Sequence, residues 1–136
     1  MDAKISVITL AVADLARALT FYRDGLGLKT EGIVGEKYDN GACAFFHLAG
    51  GLVLALWPAK SMAAELDIEV STHGSAVMIA HNVDSHAEVD RVMAQARAAG
   101  AQWLKAPSEL FWGGYGGYFR DLDGHVWEVV YNPKGC

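Results

Sequence analysis

Near the end of the chain, in HVWEVVY (125–131), one carboxylate, Glu128, stands among Val126, Trp127, Val129 and Val130. A carboxylate in such apolar company can serve as a base or as the partner of a cation. Tyr118 and Arg120, just before it, offer hydrogen-bond donors, and His47 in FFHL offers an acid. Glu128 as base with His47 as acid would suit enolisation beside a carbonyl, provided both reach one substrate. Cys43 shares a phase with Phe45 and His47 but has no base close in sequence, so it reads as a small core residue rather than a nucleophile.

Beside these residues lies FWGGYGGY (111–118), whose glycines permit unusual backbone angles while Phe111, Trp112 and Tyr115 supply flat apolar area. It reads either as a mobile aromatic rim over a ligand or as a glycine-rich start to a strand whose aromatics pack in a dimer interface. The other histidines read as structural. His81 shares the helix-facing phase with Ile79 and Val83 and is expected as a hydrogen-bonded core residue. His125 follows a turn glycine, and His73 and His86 look like surface or cap residues.

The elements that must position these groups fit in one domain, since 136 residues with 52% hydrophobic and 20% charged content can build a real core. The composition predicts a soluble globular protein. A net charge of -5 without a run of Lys or Arg argues against a nucleic-acid or membrane surface, leaving a small molecule as the expected partner. Cys43 and Cys136 form neither a zinc pattern nor a disulfide framework, which fits a reducing, cytoplasmic compartment. The start, MDAKISVITLAVA, imitates a secretory signal, but its apolar run is short and Asp2 weakens the charged end. No apolar stretch approaches the roughly 20 residues that span a bilayer.

Residues 4–12 read as a strand, followed by a helix that Asp14 caps, with Leu15, Leu19 and Tyr22 on one face and Gly25 and Gly27 at its end. Strands are predicted over 30–38, 42–49 and 51–57, the last two joined by a tight Ala49-Gly50-Gly51 turn. After a polar connector (58–74) comes a strand over 75–83. Ser85 and Glu88 then form a capping box for a helix with Val89, Val92, Met93 and Ala96 on one face, ended by Gly100. Three more strands follow, at 101–105, 113–120 and 125–131. Module one (1–57) and module two (75–136) thus share the order strand, helix, strand, strand, strand.

That order is an internal repeat. VITLAVAD (7–14) can be laid on MIAHNVDS (78–85), and FFHLAGGLVLALW (45–57) on YFRDLDGHVWEVV (118–130), with apolar positions and turns coinciding. The first strand therefore has a counterpart in the second module and is read as part of the domain rather than as a leader.

TLAVADLARALTFYRDGLGL near the start, FRDLDGHVWEVVYNP near the end, and the duplicated βαβββ order together resemble the glyoxalase, bleomycin-resistance and extradiol-dioxygenase superfamily, the vicinal oxygen chelate fold. The resemblance implies an α+β fold over residues 1–136, with two βαβββ modules forming a cupped mixed sheet and helices on the outside. It also implies a homodimer, because members commonly pair modules across two chains. Metal-dependent members hold a divalent ion in the cup with His or Glu side chains from four strands, and by alignment those positions fall on Val7, Ala55, Met78 and Glu128. Only Glu128 suits such an ion: valine and alanine have no ligand atom, and a thioether is too soft. The usual metal site is expected to be absent, and no cofactor is predicted.

Strand alternation assigns faces within the cup, with the reservation that a bulge reverses them. If Glu128 faces inward, so do Val126 and Val130 on its own strand and Tyr118 and Arg120 on the next. In the first module Val53, Ala55 and Trp57 face inward, with Phe45 and His47 matching Tyr118 and Arg120, and the first strand adds Thr9. Apolar walls with Thr9, His47, Tyr118, Arg120 and Glu128 are the mixture of a small-molecule pocket, with Arg120 or His47 as the expected partner of Glu128. Arg120 has a competing reading, in which it pairs with Asp121 or Asp123.

Three functions fit. The first is a metal-free binding protein of bleomycin-resistance type that holds an aromatic or amphipathic molecule through Thr9, Phe45, Trp57, Met78, Trp112, Tyr115, Tyr118 and Arg120. The second is a lyase or isomerase of glyoxalase type that uses Glu128 and His47, with a displaced divalent metal site or with acid–base chemistry alone. The third is a structural dimer whose cup has filled with side chains.

Overall fold

VITLAV and VLALWP are almost wholly apolar, and the two segments lie side by side as parallel strands. The computed structural model describes residues 1–71 and 76–135. His73 and Cys136 lie outside the described residues. The chain divides into two compact units, Met1–Thr72 and His73–Cys136.

The first unit holds β1 (Val7–Val12), α1 (Leu15–Thr20), β2 (Thr30–Val34), β3 (Cys43–His47), β4 (Val53–Pro58) and α2 (Ala59–Leu66). Its strand order is β1-β4-β3-β2. Asp14 caps α1 by accepting from the Arg17 amide at 2.9 Å. The helix runs on as a wider π turn over Phe21–Gly25, and both Phe21 and Tyr22 are buried there. Tyr22 packs on Phe46 of β3 at a ring separation of 5.9 Å. Leu54, Leu56 and Ala44 are buried on the same side.

The second unit repeats the plan with β5 (Met78–Val83), α3 (His86–Ala98), β6 (Gln102–Glu109), β7 (Tyr115–Arg120) and β8 (Val126–Tyr131). Its order is β5-β8-β7-β6, again with a parallel pair of first and last strands. Val89, Met93 and Ala96 of α3 are fully buried, as are Phe119 and Val129 of the sheet or nearly so. Phe119 and Trp127 stack at 6.2 Å, and the Trp103 indole donates to the Met93 carbonyl at 2.9 Å.

The predicted α+β class and its two βαβββ modules are thus what the structure shows, as two four-stranded mixed sheets with helices. Several strands are shorter than expected, β2 among them at Thr30–Val34, and three further details differ. Residues 59–66 of the expected connector form α2, because Ala-Lys-Ser-Met-Ala-Ala-Glu-Leu is made of good helix formers behind a proline. It packs on β4 and β1. β6 extends to Glu109 through Pro107, which an edge strand tolerates because it need not donate every ladder bond. In the capping box, Ser85 accepts from the Glu88 amide at 3.2 Å, but Glu88 reaches back to the Asp84 amide at 2.9 Å rather than to Ser85.

No helix among the described residues is long and apolar enough to cross a membrane. Met93 fills the space beside Gly117, where an added Cβ would stand 2.8 Å from the Met93 methyl. Met93→Ala would empty that space, so it is expected to destabilise the protein by about 2–5 kcal/mol, read from urea unfolding followed by circular dichroism.

Candidate functional site

Register decides which side chains share a face. In the second unit Ala80, Glu128 and Tyr118 stand in one row across β5, β8 and β7, and Lys105 of β6 lies opposite Tyr118. The next row is Met78, Val126, Arg120 and Gln102, and the row on the other side carries Asn82, Val130 and Gly116. Alternation puts all of these on the sheet face opposite Trp127, Val129 and Phe119, which are buried on the α3 side. Glu128 and Tyr118 are half-buried, whereas Met78, Lys105 and Arg120 are exposed.

Tyr118 stands directly opposite Glu128 across β7 and β8. Its phenol is pushed above the ordinary tyrosine value of 10.0, first by loss of water around it and then by the nearby Glu128 carboxylate. Arg120, the expected cation, makes no ion pair among the described residues, with Glu128 or with Asp121 or Asp123. Asp121 is instead buried in the turn before β8, accepting from the amides of Asp123 at 3.0 Å and His125 at 2.8 Å. His47, the other expected partner, belongs to the first unit. The neighbour of Glu128 within its own unit is therefore a neutral hydroxyl.

In the first unit Thr9, Ala55 and Phe45 form the corresponding row, Val7, Val53 and His47 the next, and Ala11 and Trp57 the one beyond. Ala55 is buried at 3% exposure, while Thr9, Phe45 and His47 are exposed. The Trp57 indole donates to the Asn40 carbonyl at 2.8 Å, fixing it against the β2–β3 hairpin. Burial pushes the Cys43 thiol up, which disfavours the thiolate a nucleophile needs.

Several predicted site residues lie elsewhere. Tyr115 is on the α3 side: its hydroxyl donates to Asp90 at 2.8 Å and its ring stacks on His86 at 4.2 Å. It lies three positions before Tyr118, and an odd spacing along one strand places two side chains on opposite faces. The Trp112 ring folds over Gly114, where an added Cβ would come 2.1 Å from it, and Phe111 is fully exposed at the hairpin tip. His81 is exposed rather than in the core, because β5 is an edge strand. Sequence reasoning passed over Asn82 and Lys105. Asn82 follows Ala80 in plain alternation, but Lys105 lies beyond a register shift in β6 that no periodicity reveals. An open groove of about 570 Å³ in the first unit, between Asp14, Tyr38, Asn40 and Lys60, contains none of the predicted site residues.

A family profile described as the Glyoxalase/Bleomycin resistance protein/Dioxygenase superfamily matches residues 4–129. The chain belongs to this superfamily. Among solved structures of similar fold is a glyoxalase-related enzyme from Fulvimarina pelagi, 32% identical with a TM-score of 0.83, covering 96% of this chain and 89% of its own. A lactoylglutathione lyase from Agrobacterium tumefaciens is 24% identical with a TM-score of 0.72, covering 97% of this chain and 96% of its own. The fosfomycin resistance protein FosX from Listeria monocytogenes is also 24% identical, with a TM-score of 0.71, covering 97% and 95%. At that identity the last two speak for the fold alone. A search of the curated proteins finds no match to this chain.

The superfamily's divalent ion does not fit the donors present. Of its four expected positions, Val7 and Ala55 carry no donor atom and Met78 carries only a thioether. Among the described residues no group of three or more His, Cys, Asp or Glu could hold a metal ion.

The Tyr118 phenol has a pH signature. Its raised value means that the neutral form's contribution to stability is complete below pH 10.0 and is lost as pH rises through the higher value of the folded protein. Alkaline titration by ultraviolet absorbance should show late-ionising tyrosines, and Glu128→Gln should let one of them ionise earlier. An unchanged curve in that variant would show that the carboxylate does not act on Tyr118.

Proposed function

We propose that this superfamily member binds a small aromatic or amphipathic molecule on the Glu128 face without the family's metal site. The observation that carries the reading is that Glu128 has a tyrosine hydroxyl for a neighbour where a metal-dependent relative needs further ligating side chains. Around that polar pair Met78, Ala80, Val126 and Val130 supply an apolar floor, the combination that small-molecule sites use for affinity and orientation. Phe45 and Thr9 occupy the equivalent face of the first unit. A homodimer in a reducing cytoplasm is the setting that the family and the cysteine usage suggest for this role.

A second reading rests on the same two residues. Tyr118 as acid and Glu128 as base form a proton-transfer pair that needs no metal, which is the lyase or isomerase alternative with Tyr118 in the place first given to His47.

Fluorescence of the four tryptophans, followed against a panel of aromatic and amphipathic compounds, tests both. Binding predicts saturable quenching by a compound that mass spectrometry recovers unchanged, with affinity insensitive to a chelator. Glu128→Ala should weaken it about tenfold or more, since hydrogen bonds to a charged group are worth about 1.5–3 kcal/mol. Conversion of the compound would establish the enzyme instead, and dependence on a divalent ion would overturn the metal-free reading.

A further inference from the structure

The Glu128 face carries charges of both signs that do not pair with one another. Glu128 stands opposite Tyr118. Lys105 stands opposite Tyr118 on the far strand, and Arg120 lies one row along, opposite Val126. Diagonal neighbours on a sheet face are about 7–8 Å apart, well within reach of an arginine side chain. Yet neither Arg120 nor Lys105 takes part in an ion pair among the described residues. The sheet holds an anion and two cations side by side, each with capacity left over.

We infer that this face recognises a small zwitterion with an apolar body, such as an α-amino acid bearing a large apolar side chain. This rests on the proposed reading of the face as a small-molecule site and names the chemistry of its ligand. The ligand's ammonium sits on the Glu128 carboxylate. Its acidic group meets Arg120, whose planar guanidinium can hold a carboxylate through two parallel bonds, with Lys105 adding a second positive charge. The apolar body covers Met78 and Val126, which share the row of Arg120. A ligand with one charge satisfies half of this arrangement and leaves the other half facing a group it does not match. A cationic group carried by the ligand thus stands beside the one carboxylate that the family's ion would have used.

Three compounds with the same phenyl body separate the terms: L-phenylalanine, phenethylamine with the cation alone, and 3-phenylpropionate with the anion alone. Calorimetric titration of the full chain is expected to show phenylalanine binding about tenfold more tightly than either single-charge analogue. Glu128→Gln should reduce phenylalanine to the level of 3-phenylpropionate while leaving 3-phenylpropionate no weaker. Arg120→Gln should do the reverse, reducing phenylalanine to the level of phenethylamine. Equal binding of phenylalanine and a single-charge analogue, or an equal loss of all three in Glu128→Gln, overturns the inference. If none of the three saturates but a neutral aromatic compound does, and does so through Glu128, the zwitterion is wrong while the binding reading stands. If nothing saturates, both fall.

Discussion

Parallel pairing of the first strand with the last in each unit decides what can meet on the sheet face. Ala80 lies beside Glu128 and Thr9 beside Ala55 because that pairing has one register, and a slip of a single residue would send Glu128 to the side of Trp127 and Val129. The buried faces prevent the slip. Leu54 and Leu56 against α1, and Val129 and Phe119 against α3, are among the most buried residues of their units, and turning them to the other face would expose them at a cost of about 1.5–3 kcal/mol for each large side chain. The polar face is thus determined from behind, by the apolar groups on the helix side of each sheet.

The repeat makes the divergence of the two units readable position by position. Phe45 opposes Ala55 as Tyr118 opposes Glu128, and His47 opposes Val53 as Arg120 opposes Val126. At the first of these places one unit has a phenyl ring beside a small buried alanine, and the other has a phenol opposite a half-buried acid. Polar groups drawn partly out of water call for polar company, so the hydroxyl present in one ring and missing from the other goes with the acid it faces.

Most of the fold was legible in the sequence because it is carried by periodicities: alternation in the strands, the Asp14 and Ser85 caps, and the glycine-bounded turns. The shared phase of Met78, Glu128, Tyr118 and Arg120 followed from the same rule. What could not be read is whatever depends on a partner in space or on a break in period. Arg120 was a plausible mate for Glu128 by charge, yet Tyr118, directly opposite, holds the shorter route across the strands. Tyr115 belonged by composition to the aromatic rim, but its odd spacing from Tyr118 sends it to Asp90 and His86. Lys105 was hidden by the register shifts of β6, and α2 by a segment whose polarity suggested a loop.

Gly114 lies under the Trp112 indole with no room for even a methyl group. Any other amino acid there would have to evict the ring, so the apolar surface at this hairpin tip hinges on one codon. Drift at that codon would redraw the display while the sheets behind it stayed intact, which makes the tip a place where close cousins of this protein can part company without refolding.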